Sequence, residues 1–169
     1  MDNEMLYFST QLRDALAARM EKLKDEISSS ISLKGLWASG KTAESMYVVV
    51  SEQEVALYGR PFFAALETGS SRWSGATGIR CSFVEFKGII RNWAASKGLH
   101  FGQHEETERA VANIARSIMN KGTKQKRSGQ RLDVYTSLVE QAYEDCTAIC
   151  ADVLNAQVTN VIEKNWGTR

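Results

Sequence analysis

The first part of the chain carries apolar side chains at intervals of three and four residues, the spacing of one face of an α-helix. The apolar positions are Leu12, Leu16, Met20, Leu23, Ile27 and Ile31. The spacing predicts a helix of about 20 residues from Ser9 or Thr10 to about Ser30, with charged residues on its other face. A stripe this long and narrow can cover a sheet or contact a helix of another chain.

The pattern then changes from helical spacing to short runs that are typical of strands. Residues 46–50 are β-branched and aromatic, residues 51–54 are polar, and residues 55–58 read as a returning strand. This order predicts a β-hairpin. The apolar residues 62–67 that follow suit either a strand or a short helix.

Residues 68–82 contain several glycines and serines, and they predict a long loop that includes Arg72 and Trp73. A long loop inside a compact domain is usually functional or mobile. A second loop is predicted at residues 121–131, which hold five basic residues and no acidic one.

Three more helices are predicted after the first loop. Ser82-x-x-Glu85 is a capping box, in which each side chain accepts a hydrogen bond from a free backbone N–H of the other residue. The next helix runs from about His104 to Asn120, with Gly122 as its C-cap, and the last begins at a second capping box, Ser137-x-x-Glu140. The expected inward-facing residues of these helices are Phe86, Ile90, Trp93, Ala94, Val111, Ile114, Ala115, Ile118, Val139, Ala142, Cys146, Ile149, Cys150 and Val153.

The predicted fold is α+β, with a small antiparallel sheet packed with about four helices, the first and last of them long. We expect residues 1–169 to form a single domain, since a chain of 169 residues suits one. The single proline agrees with long helices.

Charge and cysteine content narrow the function classes. The 21 basic and 20 acidic residues give a net charge of +1, which argues against a strongly basic nucleic-acid binder and against a disordered chain. Three cysteines favour a reducing compartment over a disulfide scaffold. The start of the chain lacks the basic residues of a secretory signal. No apolar run approaches the roughly 20 residues that cross a bilayer, so we expect no membrane association.

One segment matches a chemical motif. Residues 35–42, GLWASGKT, fit the phosphate-binding loop G-x-x-x-x-G-K-[ST], which needs a buried strand before it and a helix after it. Here a helix end is predicted before it and a strand after it, so we interpret it as a glycine turn. A small P-loop NTPase or kinase remains the alternative function.

No catalytic residue, cofactor or metal site is predicted. His100 and His104 have a helical spacing, but Gly98 and Gly102 argue against one helix through both. Cys146 and Cys150 lack a second pair of ligands, and small apolar positions explain them better. The basic residues 121–131 could contact nucleic-acid phosphates, so a DNA-binding module is a further alternative.

The order of the segments resembles a known family. The segments are ASGKTAESM at 38–46, YGRPFFAALETG at 58–69, FKGIIRNW at 86–93 with KGL at 97–99, and IARSI at 114–118 with KGT at 121–123. Together they resemble the head–tail connector family of tailed bacteriophages, also called neck or tail-completion proteins. The likeness is greatest to versions from phages of gut Bacteroidetes, including crAss-like phages. Thr42 and Leu66 depart from the family's more usual apolar residue and valine.

This resemblance implies a structural virion protein that is not an enzyme. It implies a homo-oligomeric ring of twelve or six copies that joins the portal or an adaptor to the tail, around a channel for double-stranded DNA. The protein would lie in the virion neck, and in the host cytoplasm during assembly. We expect structural turns at Gly40, Glu67 and Gly69. The residues expected to make contacts between subunits or rings are Arg72, Trp73, Lys124, Lys126, Arg127 and Arg131.

Overall fold

A computed structural model describes residues 9–36, 40–60, 63–70 and 82–166 of the chain. Over these residues it contains two strands and six helices, so the predicted α+β class with long terminal helices is confirmed. The elements are α1 (Thr10–Leu33), β1 (Tyr47–Val50), β2 (Val55–Tyr58), α2 (Ala64–Thr68), α3 (Phe83–Ser96), α4 (His104–Lys121), α5 (Lys124–Ser128) and α6 (Thr136–Trp166).

Helix α1 forms where the apolar spacing predicts it. The Ser9 hydroxyl accepts a hydrogen bond from the Leu12 N–H at 3.2 Å, which satisfies one of the free donors of the first turn. The apolar stripe is buried from Leu12 through Ile31, with Met20 half-buried. The helix continues to Leu33, about one turn beyond the predicted end.

The two strands form the predicted hairpin. β1 and β2 are antiparallel, with Tyr47 opposite Tyr58 and Val50 opposite Val55, and the Tyr47 and Tyr58 rings stack with centroids 5.7 Å apart. The Ser51 N–H donates to the Glu54 carbonyl at 2.8 Å and closes the turn. A two-stranded sheet is marginal alone, so it depends on packing against helices.

The described residues group into two compact units. The first contains most of α1, the hairpin and α6, and the second contains α2 to α5 with the end of α1. In the first unit, Leu12, Leu16 and Val153 are buried together, and Val55 of the hairpin packs against them. The buried Arg19 of α1 donates from Nε to Asp145 of α6 at 2.7 Å.

Helices α3 and α4 form the core of the second unit. Phe86, Ile90, Val111 and Ala115 are buried together. The predicted capping box at Ser82 and Glu85 is present. Trp93, which we expected on the inner face, is 41% exposed. It lies in the last turn, at the edge of the stripe that Phe86, Ile90 and Ala94 form.

Three local predictions are refined by the structure. Residues 62–67, left open between strand and helix, contain α2 from Ala64. Residues 121–131, predicted as a loop, contain the five-residue α5, because Thr123 caps its start and Gly129 adopts the left-handed conformation at its end. The capping box at Ser137 is wrong: the Val139 N–H donates to the Tyr135 carbonyl at 2.8 Å, so α6 begins at Thr136 and Ser137 lies in its first turn.

The packing of α3 against α4 yields a stability prediction. We expect Val111→Ala to lower the free energy of unfolding by about 2 kcal/mol, because it removes two buried carbon atoms and leaves a cavity. Val84→Ala in α3 is the matched control, since Val84 is 76% exposed and Val111 is 0% exposed. Urea unfolding followed by circular dichroism measures both, and equal losses would contradict the packing described.

Candidate assembly surfaces

The expected structural turn at Glu67 is a buried polar junction in the second unit. Glu67 is 2% exposed. Its carboxylate accepts a hydrogen bond from the Val134 N–H at 3.0 Å and lies 3.6 Å from the Arg131 guanidinium. Its backbone carbonyl accepts from the Leu132 N–H at 2.9 Å and from the Gln125 side-chain amide. Glu67 therefore ties the end of α2 to the chain on both sides of Gly129.

Gly69 sits beside this junction in a conformation that favours glycine. Its φ is +68°, and an added Cβ would lie 2.5 Å from the Thr123 hydroxyl and 2.7 Å from the Lys126 backbone nitrogen. The carbonyl of the next residue, Ser70, accepts a hydrogen bond from the Thr123 N–H at 2.9 Å. The close approach of residues 69 and 70 to the start of α5 therefore leaves no space for a side chain at Gly69.

Gly40, the third expected turn residue, has a φ of +77°, and its carbonyl accepts the Glu44 N–H at 3.0 Å. It opens the turn that leads into β1. The segment that matches the phosphate-binding loop is thus preceded by helix α1 and followed by strand β1, as expected for a glycine turn. Residues 37–39 within the motif lie outside the described residues.

The four basic residues of 121–131 that we expected at contacts divide into two groups. Arg127 donates to the Ser117 hydroxyl at 3.1 Å and to the Gly122 carbonyl at 3.2 Å, and Arg131 contacts Glu67. These two arginines hold their own segment in place. Lys124 and Lys126 are exposed on α5, so they are better placed for an external contact. Arg72 and Trp73 lie outside the described residues.

The described histidines and cysteines, His100, His104, Cys146 and Cys150, do not come together in a metal cluster. Helix α4 begins at His104, so no helix runs through both His100 and His104. Among the residues that the structure describes, no group of three or more His, Cys, Asp or Glu side chains could hold a metal ion. Cys146 and Cys150 are half-buried on α6, and burial is the main cause that raises the pKa of the Cys146 thiol.

A surface that the sequence analysis missed lies on the second half of α6. Every residue from 154 to 166 is exposed. Five apolar side chains there are between 47% and 77% exposed and share one helix face; we call them the α6 stripe: Leu154, Val158, Val161, Ile162 and Trp166. Their spacing of three and four residues is visible in the sequence. The expected apolar stripe, however, ended at Val153.

A second surface feature lies in the first unit. A groove of about 480 Å³ runs between α1, the hairpin and the middle of α6, and we call it the α1–α6 groove. Its lining includes Leu16, Met20, Val55, Tyr143, Cys146 and Cys150. The lining is mainly apolar, and it also includes the exposed Glu54 of the hairpin turn.

Comparison of the chain with protein-family models, curated proteins and solved structures finds no match. Within the described parts of the chain, no helix has the length and apolar character needed to cross a membrane. The function is therefore inferred from the surfaces of the molecule and from the order of its sequence segments.

The Glu67 junction leads to a second stability prediction. Glu67→Ala should lower the free energy of unfolding by about 2 kcal/mol, because it removes a buried acceptor and the partner of Arg131. Glu67→Gln is the control, since it keeps an oxygen that can accept from the Val134 N–H, and it should lose clearly less. Urea unfolding compares the two variants, and an Ala variant as stable as the Gln variant would refute this account of the junction.

An ion-pair cluster between α3 and α4 yields a pH prediction. Hydrogen bonds from Arg91 and Lys87 lower the pKa of Glu108 to about 2, from an ordinary value of 4.5. The stabilisation is therefore complete above the ordinary pKa and is lost as the pH falls from about 4.5 through 2. Carboxyl NMR should show the low pKa, and Arg91→Gln should raise it. A wild-type titration near the ordinary value would contradict the pairing.

Proposed function

We propose that the chain is a structural virion protein that forms a ring of twelve or six copies in the neck of a tailed bacteriophage, between portal and tail. The ordered segments that resemble the connector family suggest the location. The observation that carries the proposal is the α6 stripe, because it supports assembly with other proteins. The ring would surround the channel through which double-stranded DNA passes.

The α6 stripe is unfavourable for a chain that works alone. Its five side chains present on the order of 500 Å² of apolar surface, which is as large as the biggest patch on a typical monomer. Trp166 is the most exposed of them, at 77%, and tryptophan is enriched among the residues that dominate interface energies. Covering the stripe with protein would remove this surface from water, and this burial would supply favourable free energy for association.

Charge and polar contacts support a subunit that packs mainly against protein. A net charge of +1 leaves little attraction for DNA phosphates over the whole chain. A channel must let DNA slide, so weak attraction suits it. Of the residues expected at contacts, Lys124 and Lys126 are exposed and suit an acidic neighbour, while Arg127 and Arg131 already hold their own segment.

The proposal predicts the effect of charges placed on the α6 stripe. Val158→Asp combined with Ile162→Asp should weaken association at least about 100-fold, since each buried carboxylate costs several kcal/mol. In a phage whose own copy is deleted, this variant should leave heads and tails unjoined in electron micrographs and should remove most infectious particles.

The matched control is Ala156→Asp combined with Asn160→Asp, which has the same spacing on the opposite face of α6. The control should restore joined particles, and both variants should retain wild-type circular dichroism. Normal joining by the Val158 and Ile162 variant, or absence of the chain from purified virions, would overturn the proposed function.

A further inference from the structure

We propose that the α1–α6 groove is the receptor for the end of α6 from a second copy of this chain, with Trp166 as the anchor. This inference rests on the proposed ring and names the two surfaces that would build it. One copy would offer the α6 stripe, and the next would offer the groove.

Because the groove and the stripe both include residues of α6, a contact between them needs two copies of the chain. Cys150 lines the groove and Trp166 ends the same continuous helix. At 1.5 Å per residue, the 16 intervening steps place Trp166 about 24 Å along the helix axis from Cys150. A helix cannot fold back over that distance, so Trp166 does not reach the groove of its own chain.

The groove and the anchor match in size and chemistry. A volume of 480 Å³ falls in the range of pockets that hold small organic ligands. It has room for an indole ring together with a neighbouring aliphatic side chain such as Ile162. The side chains of Leu16, Met20 and Val55 give the groove an apolar lining that suits such an anchor.

The surface area also fits a second copy. The α6 stripe and the surface that would cover it together reach roughly 1,000 Å², the lower limit for a specific interface. Each subunit of a ring makes this contact twice, once through each surface.

The contact is heterologous when each copy uses its α6 stripe on one neighbour and its groove on the other. Such a contact generates a ring when the rotation between subunits closes, and a filament when it does not. The alternative use of the α6 stripe, against the same stripe of a second copy, gives a twofold dimer that leaves the groove empty. The groove cysteines distinguish the two arrangements.

The cysteines Cys146 and Cys150 serve as built-in probes. With Cys81→Ser as background, Asn165→Cys places a thiol beside Trp166 on the same face of α6 and leaves the anchor in place. A short bismaleimide then links two thiols by addition of each S–H across one maleimide double bond, without an oxidant. In the assembled protein we expect a ladder of covalent multimers on a denaturing gel. Asn160→Cys, on the opposite face of α6, is the control and should give no ladder.

Alkylation of the full chain with iodoacetamide gives an independent readout. Assembly should slow the labelling of Cys146 and Cys150 at least about tenfold, in proportion to the time that the groove is filled. Trp166→Ala should restore fast labelling, while Lys164→Ala should keep most of the protection.

The outcomes separate this inference from the proposed function. Assembled rings in which both cysteines label at the monomer rate, without a ladder, would overturn the groove contact and leave the ring intact. Twofold dimers in place of cyclic assemblies would also overturn it. A chain that is absent from virions would overturn the proposed function, even if its copies associate through the groove.

Discussion

The structure depends on how much apolar surface this chain can bury by itself. Helix α6 has 31 residues, all of them described, and only Ala142 and Val153 are buried. Its first half packs beside Leu12 and Leu16 of α1 and Val55 of the hairpin. The second half continues as a helix with the α6 stripe in water. Because apolar burial is the dominant favourable term in folding and association, the proposed contact with a second copy would remove that stripe from water.

The helices of the two units are held together by different kinds of contact. In the second unit, a polar junction at Glu67 and the close approach at Gly69 hold the short helices α2 and α5 together. In the first unit, α1 and α6 are held by a thin apolar core and by Arg19 beside Asp145. A thin core leaves an open groove beside a half-exposed helix, and this combination suits a subunit that is completed by its neighbours.

Much of the fold could be predicted from the sequence because its elements are locally encoded. The spacing of Leu12 to Ile31 indicates α1, the β-branched run before Ser51 indicates β1, and the Ser82 capping box indicates the start of α3. The predictions failed where several weak signals compete. Ser137-x-x-Glu140 has the residues of a capping box, yet the carbonyl of Tyr135, two residues earlier, accepts the first helical hydrogen bond. The sequence pattern alone does not identify which carbonyl accepts this bond.

The candidate site was predicted less well, because it depends on contacts between distant residues. Glu67 was identified as a turn residue, but its partners Val134 and Arg131 are more than 60 residues away in the chain. The α6 stripe has a readable helical spacing, yet spacing does not distinguish a buried face from an exposed one. The groove arises from three separate segments and has no sequence signature.

The central claim is that a second copy of the chain covers the α6 stripe. The most direct measurement is electron cryomicroscopy of the neck in assembled particles, at a resolution that shows side chains. The account predicts a cyclic ring in which residues 154–166 of one copy lie against the α1–α6 groove of the next, with Trp166 buried. A ring in which this helix end remains in solvent, or a neck that lacks this chain, would contradict it.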